Sequence, residues 1–291
     1  MRRSEMEKNS ILMDSIPKSI KDYFRGIAGG LLFSLPMLYT MELWWTGFIA
    51  GPLRLIIYLL VGLVLLLGYN HFVGIHRPHT LWEGLADAVE EMGLGLLITA
   101  FILWLLGILQ TGMSLQEMIG KIVVEALTVA IGISVGKAQL GSSGENGERD
   151  GKERTDGRNA FSGDQLAIAL CGSVLVAANV APTEEIVQIA LETSKLRLLL
   201  TVIFSFGIGG AILYYSDFKG SGSGTAKPRG KWDIIAGIVA MYTVSLVVSA
   251  FMLWFFGRFQ GASLDTILAE TVVLALPAAL GASAGRLLLQ A

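Results

Sequence analysis

The sequence is poor in the residues that build disulfide-rich, metal-binding or ordinary soluble proteins. It has one cysteine, three histidines and only 16% charged residues among 291. A single cysteine, Cys171, excludes an internal disulfide, and its place in an apolar run predicts a small buried residue. Soluble domains usually carry about a quarter charged residues. The low charge therefore argues against a soluble domain.

Several functional signatures are also lacking. The N-terminal stretch "MRRSEMEKNSILMDSIPKSIKDYFR" has no compact apolar core and no small-residue cleavage site, so we do not expect a signal peptide. The chain has no phosphate-binding loop and no zinc helix with paired histidines, and the glycines at 220–224 follow no predicted strand. Basic residues form no patch of their own. We expect no enzyme, no cofactor and no nucleic-acid partner.

What the chain does have is apolar length. Hydrophobic residues make up 53% of it and fall into blocks of roughly 18 to 25 residues, enough for a helix to cross about 30 Å of hydrocarbon. The pattern predicts an all-α membrane protein with eight transmembrane helices, near residues 24–43, 53–70, 92–110, 115–137, 164–181, 196–215, 233–256 and 264–288.

Lys and Arg concentrate before the first predicted span and after spans two, four and six. By the positive-inside rule, both termini are expected in the cytoplasm. The tail 1–23 is predicted to be cytoplasmic, either as a polar tail or as a short helix on the membrane surface. The Gly-, Ser- and charge-rich residues 141–160 predict a flexible cytoplasmic linker, and a shorter linker is predicted over 219–231.

The two halves of the chain resemble each other. Residues 101–137 and 251–286 share the pattern F-x-L-W-x-x-G-x-x-Q and, after a one-residue deletion, further Ser, Val and Gly positions. Each half has four predicted spans, an even number, so both halves enter and leave on the same side. The sequence therefore predicts two parallel four-helix repeats, 24–140 and 161–291, related by a pseudo-two-fold axis along the membrane normal.

The first candidate site is a pair of equivalent acids, Glu42 and Glu185, each followed by an arginine at the start of the next span, Arg54 or Arg197. Ionisable groups in spans usually mark an ion or substrate path, and two carboxylates near an axis can bind a hard cation or share a proton. The alternative is structural. Thr183 before two acids is typical of a helix N-cap on a surface helix, and Glu42 with Arg54 can form an interfacial ion pair.

A second polar set lies in spans four and eight. Ser114 to Glu117 is a capping box that starts span four. Glu125 is then roughly 15 Å into that helix and needs a partner, which Lys121, four residues earlier, can supply. Glu270 is the equivalent of Lys121. The two residues either form a bridge across the axis or line a charged gate.

Three further patterns remain. His71, His76 and His79 share one predicted cytoplasmic loop, which is either a transition-metal site or an ordinary basic loop. The acids at the cytoplasmic end of span three, Glu91 among them, are interpreted as a solvated face. The Gly-x3-Gly stripes that begin at Gly132 and Gly281 are interpreted as close packing between spans.

The sequence resembles a bacterial family of uncharacterised eight-span integral membrane proteins, with a domain of unknown function. The resemblance rests on "GIAGGLLFSLPMLYTMELWW", the duplicated F-x-L-W segment and the linker after span four, and it covers nearly the whole chain. It implies a multi-pass protein of the bacterial inner membrane and carries no activity to transfer.

From the residues we expect a cation channel or transporter, passive or proton-coupled, with the paired glutamates at the outer side between the repeats. A non-transporting scaffold or accessory subunit, and a lipid- or apolar-solute-handling protein, are the alternatives. Expected partners are the lipid bilayer, inorganic cations or protons, and further copies of the same chain in a homo-oligomer.

Overall fold

The computed structural model describes residues 23–24, 26–34, 36–73, 80–142, 163–220 and 231–289. Three sequence predictions fall outside this described part. They are the predicted tail before residue 23, the two linkers over 143–160 and 221–230, and the histidines His76 and His79. The described chain is helical apart from short turns, and it contains no strand. The all-α prediction is confirmed for these residues.

Ten helical segments follow one another along the described chain. They are α1 (helical residues 26–34 and 36–38), α2 (Met41–Ile49), α3 (Pro52–Phe72), α4 (Leu81–Leu105), α5 (Leu115–Ser142), α6 (Gly163–Val180), α7 (Glu184–Glu192), α8 (Lys195–Gly220), α9 (Lys231–Phe255) and α10 (Leu264–Leu289).

Five of these helices, α3, α4, α5, α9 and α10, are long and apolar enough to cross a membrane. The pair α6 and α7, bent by 88° at its break, is a sixth candidate. The described residues thus support five or six spans, and the count of eight stays a prediction.

The short helices α2 and α7 differ from the predicted spans. The first span was predicted to run to residue 43, but the helix α1 ends at residue 38, and Glu42 lies in the separate helix α2. Pro182 follows the end of α6, and α7 starts at Glu184. The residue before a proline is pushed away from helical geometry. The alternative prediction of a short helix after Thr183 is confirmed, although Thr183 makes no side-chain cap and instead donates to the Val180 carbonyl at 2.9 Å.

Two pairs of helices, one member in each half, have the same bounds at a constant offset along the chain. The helices α2 and α7 begin and end at equivalent residues, as do α4 and α9. The turn after each of the latter two helices contains a glycine in the left-handed region, Gly107 with φ 72° and Gly257 with φ 76°. L-residues other than glycine avoid this region.

The helix α5 is central in the first half, because 83% of its apolar window is buried against 28% for α3. Gly29 of α1 packs directly on the backbone of Gly132 and Gly136 in α5. In the second half, Gly172 of α6 packs on the backbone of Gly281 in α10. The packing role predicted for the glycine stripes is confirmed at these positions.

Candidate functional site

Glu125 is a buried carboxylate in the middle of the chain's most buried helix. Its relative exposure is 0%, and neither carboxylate oxygen has a hydrogen-bond partner among the described residues. The indole nitrogen of Trp44 and the hydroxyl of Tyr58 are buried beside it and are equally without a partner. We call these three side chains the Glu125 cluster. The Trp44 indole therefore lies against the Glu125 carboxylate, and Tyr58 is near enough to feel its charge.

Close packing of α2 on α5 brings Trp44 to this cluster. Gly47 of α2 lies directly on the backbone of Gly120 and Lys121, where a methyl group on either glycine would collide with the other helix. Trp44 precedes Gly47 by three residues and Glu125 follows Lys121 by four, so each lies one turn from the contact on the same helix face. From α3, Tyr58 completes the cluster, with its ring stacked on Phe255 of α9.

Lys121 does not partner Glu125 as predicted. Its ammonium group pairs with Glu117 at 2.7 Å and lies 3.8 Å from the sulfur of Met113. Helical side chains lean towards the N-terminus of their helix, so Lys121 reaches the residue one turn earlier rather than the one after it. Ser114 accepts a hydrogen bond from the Glu117 amide at 3.2 Å, which confirms the serine half of the predicted capping box.

The Lys121–Glu270 bridge is not formed either. Glu270 is 1% exposed, and its Oε2 has no hydrogen-bond partner in the described part of the chain. The cation near it is Arg258, whose guanidinium donates to the carbonyl of Pro182. Glu270 is therefore a buried carboxylate in the second half of the chain. Lys121 pairs with Glu117 and not with Glu270.

The paired acids Glu42 and Glu185 are both exposed, each in the first turn of its short helix. No ion pair joins Glu42 to Arg54 within the described chain. Arg54 instead lies over the Trp254 ring at 5.7 Å. With the Gln260 amide turned to satisfy both groups, its oxygen accepts from Arg54 at 2.7 and 3.2 Å. Arg197 is exposed.

Sequence reasoning missed a buried polar network around Glu91. The side chain is 4% exposed, not solvated as predicted. It accepts hydrogen bonds from Asn70 at 2.8 Å and Ser134 at 2.5 Å, and Lys137 lies 3.4 Å away. The available signal was the sequence alignment of the two halves, which pairs Glu91 with an apolar residue and so indicates an inward-facing position. Met241 occupies that position, is 1% exposed, and receives the hydroxyl of Ser283 at 3.0 Å.

The histidine prediction stays a prediction, because only His71 of the three lies in the described part. His71 is exposed and meets Phe72 edge to face, with ring centroids 4.9 Å apart. His76 and His79 lie outside the described part. Within it, no group of three or more His, Cys, Asp or Glu side chains is arranged to hold a metal ion.

A cavity of about 350 Å³ lies between α1, α3, α6 and α10. Its walls are mostly apolar, and Cys171, 2% exposed, is one of the lining residues, as expected for a small buried side chain. Two of the lining residues carry a buried polar atom that has no partner in the described structure. These atoms are the Tyr69 hydroxyl and the side-chain amide oxygen of Asn179.

Comparison with known proteins decides the family. A family described as "Putative integral membrane protein (DUF2391)" matches residues 22–289, almost the whole chain. The chain belongs to the DUF2391 family. This DUF2391 protein is an integral membrane protein with several apolar helices. No curated protein and no solved structure matches the chain.

Proposed function

We propose that this DUF2391 protein moves protons or inorganic cations across the membrane. The observation that supports the proposal is Glu125, a carboxylate at 0% exposure without a hydrogen-bond partner in the described chain. Burying a carboxylate without a partner costs several kcal/mol, and ionisable groups inside spans usually serve an ion path. An ion or proton that binds Glu125 during transport would complete its interactions.

We further propose the arrangement in which this path operates. Eight spans form two parallel four-helix repeats in the bacterial inner membrane, with both termini in the cytoplasm. Matching helix bounds and left-handed glycines support the repeats, and the Lys and Arg distribution supports the orientation. Glu42 and Glu185, with Arg54 and Arg197, form the outer entrance, while Lys121 and Glu270 line the path below it.

Flux measurements in proteoliposomes test transport. Wild type is compared with Glu125→Gln and with the double variant Glu42→Gln/Glu185→Gln for K⁺, Na⁺, Ca²⁺ and H⁺. Glu192→Gln, an exposed change at the end of α7, is the matched control. We expect flux in wild type and the control and its loss in Glu125→Gln. A double variant that conducts normally contradicts the paired-glutamate entrance. If none of the ions moves at any pH or voltage, transport is wrong and a scaffold or accessory role is favoured.

The cavity between α1, α3, α6 and α10 favours a second candidate function, the handling of a lipid or apolar solute. Its volume of about 350 Å³ is within the roughly 300–1,000 Å³ usual for ligand pockets. Replacing the lining residue Leu175 by tryptophan fills the space. If an apolar molecule copurifies with wild type, mass spectrometry should find it depleted in Leu175→Trp. If the two preparations carry the same molecules, the cavity is not the binding site.

A further inference from the structure

The Glu125 cluster is built from hydrogen-bond donors around one carboxylate. Trp44 contributes an indole N–H, which can only donate, and Tyr58 contributes a hydroxyl. Both lie beside Glu125 and lack other partners among the described residues. Donors stabilise a carboxylate in its charged form, and they offer almost no lone pairs to a metal cation.

A hard cation needs more oxygen atoms than this cluster supplies. Ca²⁺ takes about six to eight oxygen ligands and Mg²⁺ about six. Transporters obtain such ligands from interrupted helices, whose freed carbonyls point at the ion. The helix α5 is continuous from Leu115 to Ser142, so its carbonyls around Glu125 are engaged in the helical hydrogen bonds. The described residues hold no further acid group arranged for a metal. A proton needs only one lone pair of the carboxylate.

A second buried carboxylate lies farther along the same half. Glu91 is held by Asn70 and by Ser134, and Ser134 follows Glu125 by nine residues on α5, about 13 Å at 1.5 Å per residue. On α3, Tyr58 lies beside Glu125 and Tyr69 beside Glu91. Beyond Glu91, Lys137 pairs with the half-exposed Glu90 at 3.9 Å. Buried ionisable groups thus extend from the Glu125 cluster towards the opposite end of the bundle.

The second half lacks all of these groups. The residues equivalent to Trp44, Tyr58, Glu125 and Glu91 are, in that order, Val187, Thr201, Leu274 and Met241. Leu274 is fully buried, and Ser283, the equivalent of Ser134, contacts the sulfur of Met241. At the positions equivalent to Glu125 and Glu91, the second half therefore carries no ionisable side chain, and its buried carboxylate, Glu270, occupies the position equivalent to Lys121.

We propose that the transported species is the proton and that, beyond the outer entrance, it passes Glu125 and then Glu91 within the first half. The inference rests on the proposed transport function and names its substrate. Glu125 accepts a proton at one of its free oxygens, becomes a neutral acid, and releases the proton towards Glu91. Glu125 and Ser134, which binds Glu91, are about 13 Å apart along α5, more than one hydrogen bond spans, so water molecules must carry the proton between the two carboxylates.

The test is dye-reported acidification of proteoliposomes under an imposed pH gradient, with K⁺ and valinomycin to compensate charge. Fluxes of K⁺, Na⁺ and Ca²⁺ are measured on the same proteoliposomes without valinomycin. We expect proton flux in wild type and its reduction to the rate of empty liposomes in Glu125→Gln and Glu91→Gln. Glu125→Leu, which installs the residue of the second half, is measured beside Glu125→Gln. A monodisperse elution profile shows that each variant is folded.

The two halves provide a matched pair of serine variants. Ser134→Ala removes a hydrogen bond to Glu91 and should slow proton flux, while Ser283→Ala, which loses only contacts to Met241 and Ala279, should leave it unchanged. Equal effects of the two changes would overturn the confinement of the path to the first half.

The remaining outcomes separate the inference from the proposed function. If K⁺, Na⁺ or Ca²⁺ moves, stops in Glu125→Gln, and protons do not move, transport stands and the proton assignment is wrong. If protons move equally in wild type and in a folded Glu125→Gln, the assigned path is wrong. If nothing moves in wild type, the proposed function itself fails.

Discussion

Tyr58 of α3 stacks face to face on Phe255 of α9, with ring centroids 3.9 Å apart and planes inclined by 12°. Both rings are at most 1% exposed. The stack joins the two halves of the chain and at the same time fixes the Tyr58 hydroxyl beside Glu125. The contact between the halves therefore also positions part of the candidate site.

Replacing Phe255 by leucine should lower the free energy of unfolding by about 1–2 kcal/mol, because the aromatic pair is lost while most of the apolar volume is kept. Phe204→Leu is the control, since Phe204 is 58% exposed and its change should cost less than about 0.5 kcal/mol. Denaturant titration of the purified protein in detergent measures both. Equal stabilities of the two variants would show that the stack contributes nothing beyond apolar contact.

Gly172→Ala should destabilise the protein by at least about 1–3 kcal/mol, the usual cost of overpacking. The added methyl group would collide with the Gly281 backbone, which cannot move aside as a side chain can. Gly207→Ala is matched to it, because a methyl group there meets nothing within 4 Å. Thermal unfolding, followed by the loss of the folded peak in size-exclusion chromatography, should show a lower unfolding temperature for Gly172→Ala than for Gly207→Ala. A stable Gly172→Ala protein would contradict the close approach of α6 and α10.

Ser134→Ala should cost about 1–3 kcal/mol, because it leaves a buried oxygen of Glu91 short of a partner. Ser283→Ala should cost less than about 1 kcal/mol, since the methionine sulfur that it faces is a weak acceptor. The same denaturant titration compares the equivalent positions directly. A larger loss of unfolding free energy in Ser283→Ala than in Ser134→Ala would contradict a stronger contribution of the Glu91 network than of the Ser283–Met241 contact.

Orientation can be read with a thiol reagent that does not cross membranes. In a Cys171→Ser background, Thr111→Cys should react on intact cells, whereas Asp87→Cys should react only after permeabilisation. Both positions are exposed, and they lie at the two ends of α4 and its following turn. The Cys171→Ser parent, without any cysteine, gives the background. The reverse pattern would place the termini outside.

Helix positions were largely predictable, because a span needs a long apolar run and such runs are visible in one sequence. Predicted span 53–70 corresponds to α3, and predicted span 264–288 corresponds to α10. The separate helix α2 was not predicted, because the first span was drawn as one run to residue 43. The length and hydropathy of the run do not predict the turn at Thr40. In the structure, the Thr40 hydroxyl donates a hydrogen bond to the Pro36 carbonyl at 2.7 Å.

The candidate site was predictable in part. Glu125 was identified from its depth in the helix. Its surroundings were not predicted, because Lys121 was proposed as its partner from sequence spacing alone. Spacing allows partners on both sides of a residue, and the lean of helical side chains selects Glu117. The burial of Glu91 was invisible for a related reason. Its neighbours Glu90 and Asp87 are exposed, and local charge density says nothing about which of three acids turns inward.

The sequence by itself determined that this protein is a helical membrane protein. That property is a pattern along the chain, set by the cost of placing polar backbone and side chains in hydrocarbon. Tertiary structure alone decided which ionisable side chains are buried and with what. The approach of α2 to α5 at Gly47 and Gly120 places Trp44 beside Glu125, and no local pattern specifies which faces of two helices will meet.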